Sequence, residues 1–187
     1  MKQIRLADVA IGSIGLAAAA ASAWAVPGTG GLAGAGLSLL MLAIAIVDYR
    51  YFLIPNELTA AALALALVNA ALADTPSMVE SVAAAALRGA VTMIFFLALR
   101  WLYWRLRQRE GLGLGDVKLA FVAGAWLDWP MIPVAIEIAA LVALAAYGIW
   151  HVFGGRPVDT TSRLPFGLFF APAIWLAWLL GAVFFTI

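Results

Sequence analysis

Two aspartates carry the chemistry that this chain could do. Asp48 closes one apolar run and is followed by Ile54-Pro55-Asn56. Asp116 stands at the mouth of another, in Gly111-Leu-Gly-Leu-Gly-Asp-Val-Lys-Leu119. Charge is expensive inside a bilayer, so an ionisable side chain there is a functional-site candidate by default. Two carboxylates sharing a site cannot both ionise easily; one keeps its proton while the other stays a base. The base can take a proton from water, and the acid can polarise a carbonyl and later protonate a leaving nitrogen. Such chemistry hydrolyses peptide bonds with no metal and no cofactor. For either aspartate alone, the competing reading is an interfacial residue facing water.

The neighbours of these aspartates have local roles with or without catalysis. Gly113 and Gly115 offer φ freedom, so the chain is expected to open from helix just before Asp116 and admit water and an extended substrate. The plainer alternative is a glycine-rich turn between two spans. Pro55 can begin the next helix, because the first position needs no amide partner; Asn56 could cap it. Lys118 lies two residues beyond Asp116, on a different helical face, and is expected to snorkel to the membrane interface. Arg88 and Arg100 fall within the fourth predicted span. Arg100 can reach the cytoplasmic side, whereas Arg88 lies deeper and needs a partner, with Glu80 and Glu137 as candidates.

The elements that must position these groups are membrane helices. The chain is 66% hydrophobic and 11% charged, with a mean hydropathy of +1.04. A soluble domain is about 45–50% apolar and roughly 25% charged. The apolar runs are continuous and approach the roughly 20 residues a helix needs to cross the hydrocarbon layer, which argues for helices over a barrel. The fold class is therefore all-α, a polytopic bundle of about seven spans: 8–26, 31–49, 57–74, 81–103, 115–129, 131–153 and 165–187. Breaks fall at Pro27-Gly-Thr-Gly30, Ile54-Pro-Asn56, Asp74-Thr-Pro76, Arg105 to Gly113, Trp129-Pro130 and Gly154-Gly-Arg-Pro157. Tyr49, Tyr51, Trp101, Tyr103, Trp104, Trp126 and Trp129 cluster at span ends and read as interfacial anchors.

Residues 1–30 form an N-terminal span and outer loop, and 31–187 the membrane domain. Met1-Lys-Gln-Ile-Arg5, with Ala21-Ser-Ala23 after an apolar stretch, has the pattern of a signal sequence. An uncleaved anchor is the favoured form. The net charge of +1 gives no basis for a nucleic-acid partner; membrane lipids are the expected surroundings. Zero cysteines exclude disulfides, thiolate zinc sites and cysteine nucleophiles. The single histidine, His151, sits beside no serine-containing elbow motif. Basic residues are one-sided: with a cytoplasmic N-terminus, Lys2, Arg5, Arg50, Arg105, Arg107, Arg109, Arg156 and Arg163 all fall on that side. Asp48, Asp116 and the 154–167 loop then lie at the cytoplasmic face.

At this level the chain resembles a known family. Asp48-Tyr-Arg-Tyr-Phe-Leu-Ile-Pro-Asn-Glu-Leu-Thr59 is similar to the first aspartate block of the type IV prepilin peptidases. Gly113-Leu-Gly-Asp-Val-Lys-Leu119, followed by Gly124-Ala-Trp-Leu127, resembles their second block. Leu164-Pro165-Phe166-Gly167 resembles their Pro-Phe-Gly segment. The resemblance covers roughly residues 31–180, with all three blocks in order. It implies an aspartic endopeptidase of the bacterial inner membrane, with Asp48 and Asp116 as the catalytic pair. Its partners would be prepilins or pseudopilins, cut after a short basic leader and before a hydrophobic helix.

Bifunctional relatives also methylate the new N-terminus through a cysteine-bearing domain after the first span. The four-residue first loop here implies cleavage without that module. Asp128 stands where many relatives carry glycine, and is expected to be catalytically neutral. Two further classes remain open: another GxGD membrane protease, preflagellin-like in its substrates, or a non-enzymatic membrane transport or assembly component.

Overall fold

A computed structural model describes residues 6–73, 77–109, 111–153 and 165–185. The described residues form seven helices: α1 (Leu6–Ala25), α2 (Thr29–Tyr51), α3 (Asn56–Ala71), α4 (Met78–Arg107), α5 (Leu114–Trp126), α6 (Met131–Phe153) and α7 (Phe166–Phe184). Each matches one predicted span, with ends shifted by a few residues.

Length separates the helices into two kinds. α2, α4, α6 over Met131–Ile149, and α7 are long and apolar enough to cross a membrane. Ala10–Ala25 and Asn56–Ala71 are shorter apolar helices. α5 has 13 residues, about 20 Å of helix at 1.5 Å per residue, against about 30 Å of hydrocarbon. It is therefore too short to be the full span expected over 115–129. Its protection comes from neighbours instead. α5 packs chiefly along α4, with α3, α7 and α6 closing its other sides, and nine of its residues are buried.

α2 and α7 form the centre of the bundle, lying against each other while α1 and α3 flank α2 and α6 flanks α7. Leu37, Met41 and Ile44 of α2, Leu119 and Val122 of α5, and Phe170 and Ile174 of α7 are fully buried. Large apolar side chains such as Trp24, Leu106, Leu144 and Phe184 point outward, as a lipid solvent permits. Association between helices in lipid depends on close packing, and small residues allow it. Gly34 of α2 lies under the Trp178 ring of α7, and Gly124 of α5 lies against the Arg88 carbonyl of α4; a Cβ at either would collide.

Two expectations about side chains are corrected. Trp126 is no interfacial anchor: it is buried, its indole Nε1 donates to the Ala62 carbonyl at 3.0 Å, and its ring meets Trp178 edge-on. A short, enclosed α5 leaves its last residue inside the bundle. Arg88 pairs with neither Glu80 nor Glu137. Its Nε donates to the Gly124 carbonyl at 3.3 Å and its guanidinium lies 3.8 Å from Asp128, because α5 rather than α6 is the main neighbour of α4. Tyr49, Tyr51, Trp101, Tyr103, Trp104 and Trp129 are exposed, as anchors should be. Leu164, Arg156, Arg163, the break at 74–76 and the side chain of His151 lie outside the described residues.

Candidate active site

Five chain segments meet at one end of the bundle. The last turn of α2 brings Asp48, and the loop after it brings Ile54 and Pro55. α3 begins there with Asn56, α5 with Leu114, and α7 with Phe166. Asp48 and Asp116 are 5% and 8% exposed, the two buried carboxylates of the described residues. Ile54 meets both Gly115, next to Asp116, and Gly167, which lies against the Asp48 carboxyl, so the two carboxylates share one neighbourhood. The bundle thus joins the pair that the sequence separates by 68 positions.

Each carboxylate is held by backbone amides at a helix N-terminus. The first amides of a helix have no partner within it and are free to hold an anion. Asp116 occupies the third position of α5, and its Oδ2 accepts from the Gly113 amide at 3.1 Å. It caps its own helix. Asp48 caps a different one: its Oδ2 accepts from the Leu168 amide of α7 at 2.8 Å, with the Gly167 amide also directed at it. Pro165 precedes α7 with φ near −70°, compatible with starting a helix. Phe166 stacks on Phe170, with centroids 5.3 Å apart, and Phe170 stacks on Phe96 of α4 at 5.4 Å. This ladder fixes the α7 end that holds Asp48.

Ile54 is the apolar piece between the two halves. A Cβ at Gly115 would lie 3.0 Å from Ile54, and one at Gly167 would lie 2.8 Å from both Ile54 and the Asp48 Oδ2. The glycines therefore serve close approach. The expected φ freedom before Asp116 is not used: Gly113 has φ −71° and ψ 149°, accessible to any residue, and Gly115 is already helical. The helix begins before Asp116 rather than opening at it, because the carboxylate itself caps that first turn.

The polar neighbours also differ from expectation. Asn56 makes no capping bond to α3, whose preceding residue is Pro55. Its Oδ1 accepts from Lys118 Nζ at 2.7 Å, so Lys118 reaches across to α3 rather than snorkelling alone. Thr59 holds the start of α3 through bonds to the Pro55 and Asn56 carbonyls. Arg100 donates to the Leu112 carbonyl, tying α4 to the segment that enters α5. Nothing local in the sequence marks the Arg100 contact. The Asp48–α7 contact had one signal, a proline starting an apolar helix in the Pro165-Phe166-Gly167 segment. Among the described residues no cluster of three metal-ligating side chains occurs.

Fold and site define a class: a multi-pass helical membrane protein with a buried carboxylate pair seated on helix N-termini. Within that class the chain belongs to the type IV leader peptidase family, whose signature matches residues 35–149. It is 37% identical over 158 residues to the prepilin leader peptidase/N-methyltransferase of Burkholderia pseudomallei strain K96243, covering 84% of this chain and 49% of that protein. Identity to the protein of the same name from Pectobacterium carotovorum subsp. carotovorum is 34% over 147 residues, with coverages of 77% and 47%. For the Aeromonas hydrophila protein it is 34% over 158 residues, with coverages of 83% and 51%. The chain spans about half the length of the curated relatives it matches. No solved structure matches it.

Proposed function

We propose that this protein is an intramembrane aspartic endopeptidase that removes the short basic leader of type IV prepilins or pseudopilins. The observation that carries the reading is the pair itself, two buried carboxylates brought together from α2 and α5 in a leader peptidase family member. One carboxylate takes a proton from water, and the water oxygen attacks the scissile carbonyl carbon. The other, protonated, donates to the carbonyl oxygen; as the tetrahedral adduct collapses, the leaving nitrogen takes a proton from the pair. The two aspartates act as a unit, and the amides of Gly113, Gly167 and Leu168 keep their carboxyl groups oriented through the cycle.

The site lies at the cytoplasmic face of a bacterial inner membrane. Arg50 lies in the last turn of α2 with Asp48, and Arg105 and Arg107 end α4, which Arg100 ties to the segment entering α5; such basic ends face the cytoplasm. A substrate with its leader in the cytoplasm and its helix in lipid presents its junction at that depth. The α1–α2 connection is residues 26–28, which leaves no room there for an inserted methyltransferase domain.

The test is mass spectrometry of a prepilin co-expressed with this protein, beside Asp48→Asn and Asp116→Asn. Leader loss with the parent protein alone, at the junction before the hydrophobic helix, is the expected result. An intact leader across several candidate prepilins, with confirmed expression, would overturn the reading and favour a transport or assembly role. An added methyl group would overturn the peptidase-only form.

A further inference from the structure

The hydrogen bond between Lys118 and Asn56 joins exposed side chains 62 positions apart, one two residues past Asp116 and the other two residues past Ile54. An ammonium has three donors and no acceptor, so Asn56 must turn its amide oxygen toward it. That oxygen is thereby committed to α5, while α3 starts without a side-chain cap.

The short segment before Asn56 needs holding. α2 ends with Phe52 in the left-handed region, at φ 53° and ψ 37°, a conformation disfavoured for any residue with a Cβ. Phe52 and Leu53 are exposed, and the buried Ile54 follows against Gly115 and Gly167. Lys118 is three residues beyond Gly115 and so shares its face of α5. The polar tie and the Ile54 contact therefore stack one above the other, binding the same segment to the same helix face.

We infer that Lys118 is a positioning residue, whose bond to Asn56 pins residues 52–56 to α5 and sets the spacing of Asp48 and Asp116. The inference rests on the reading of these aspartates as the hydrolytic pair. An alternative for Lys118 is direct contact with a substrate carboxylate or a lipid phosphate, and the two roles make opposite demands on Asn56.

A double-mutant cycle separates them. Lys118→Met and Asn56→Ala should each lower kcat about threefold to fivefold with KM unchanged, the scale of one hydrogen bond between exposed side chains. The double variant should be no worse than either single one. Asn56→Asp keeps an acceptor and should restore most of the activity. A defect in Lys118→Met with Asn56→Ala unimpaired would overturn the inference, as would multiplicative losses or a rise in KM in place of the fall in kcat.

A second measurement is independent of catalysis. The chain has no cysteine, so labels at Leu53→Cys and Leu114→Cys, both exposed positions flanking the Ile54–Gly115 contact, report only on this junction. Spin-label distances should be narrowly distributed in the otherwise unaltered protein and broaden with Lys118→Met. An unchanged distribution would overturn the inference. Were the parent protein to cleave no prepilin, the functional reading would fail while the label distances still decided the clamp.

Discussion

The two ends of α5 handle charge in opposite ways. Beyond its C-terminal end, Asp128 lies 3.8 Å from Arg88; the aspartate side chain is 84% exposed and the arginine 18%. Opposite charges meet there, with water on one partner, and such a pair is worth little to stability and needs no function to explain it. At the N-terminal end two like groups, Asp116 and Asp48, are both buried on either side of Ile54 and held by backbone amides. Burying like charges together opposes folding, so their persistence points to chemistry rather than architecture. An intramembrane charge is thus informative through its partner: a counter-ion marks structure, a second carboxylate marks a site.

Substitutions at the two ends should therefore fail in different ways. The largest effect belongs to Asp48→Asn and Asp116→Asn. Each should cost about 10³-fold or more in leader cleavage, the scale of lost acid–base catalysis, while the protein stays folded in the membrane. Appreciable cleavage by either variant would dissolve the distinction between the ends.

Gly167→Ala comes next. Its Cβ would sit 2.8 Å from the Asp48 Oδ2, and a displacement approaching 1 Å at a reacting group can cost about 10²-fold. Single-turnover cleavage rates per folded molecule would register that loss, in addition to any drop in melting caused by the contact with buried Ile54. Gly124→Ala should act on stability alone. It forces α5 off the α4 backbone at Arg88, an overpacking cost of about 1–3 kcal/mol, so melting of the purified protein should drop while cleavage per folded molecule persists. The smallest effect is expected for Asp128→Asn. Stability should move by less than about 0.5 kcal/mol and cleavage should be unaltered; a deep loss of activity would move the functional boundary to the far end of α5.

Much of this was legible in the sequence because membrane helices announce themselves by continuous apolarity, and their breaks by Pro and Gly. The seven elements were expected at nearly the observed places, and Asp48 and Asp116 stood out as charges where charge is costly. What was not legible lies between helices. Arg88 finds Asp128 rather than Glu80 or Glu137 because α4 lies along α5, an arrangement no local pattern encodes. Gly115 looks like a hinge in one dimension and is a contact surface in three, since Ile54 occupies the space a Cβ would need, and Gly167 is crowded in the same way by Ile54 and Asp48. Trp126 carries the composition of an interfacial anchor, yet the shortness of α5 draws it inside. Asn56 has the type and place of a cap, but a lysine from another helix claims its oxygen.

The bond between Asp48 and the Leu168 amide spans 120 residues of chain, and this separates synthesis of Asp48 from completion of its surroundings. Ribosomes add about 5–20 residues per second, so roughly 6–24 s elapse between the emergence of Asp48 and that of the amide that orients it. Throughout that interval the nascent chain already holds α2 in the membrane with half of its carboxylate cradle unbuilt. If the proposed function holds, a newly made molecule becomes able to cut only once the last helix is in place, and a chain stalled before it would be inert.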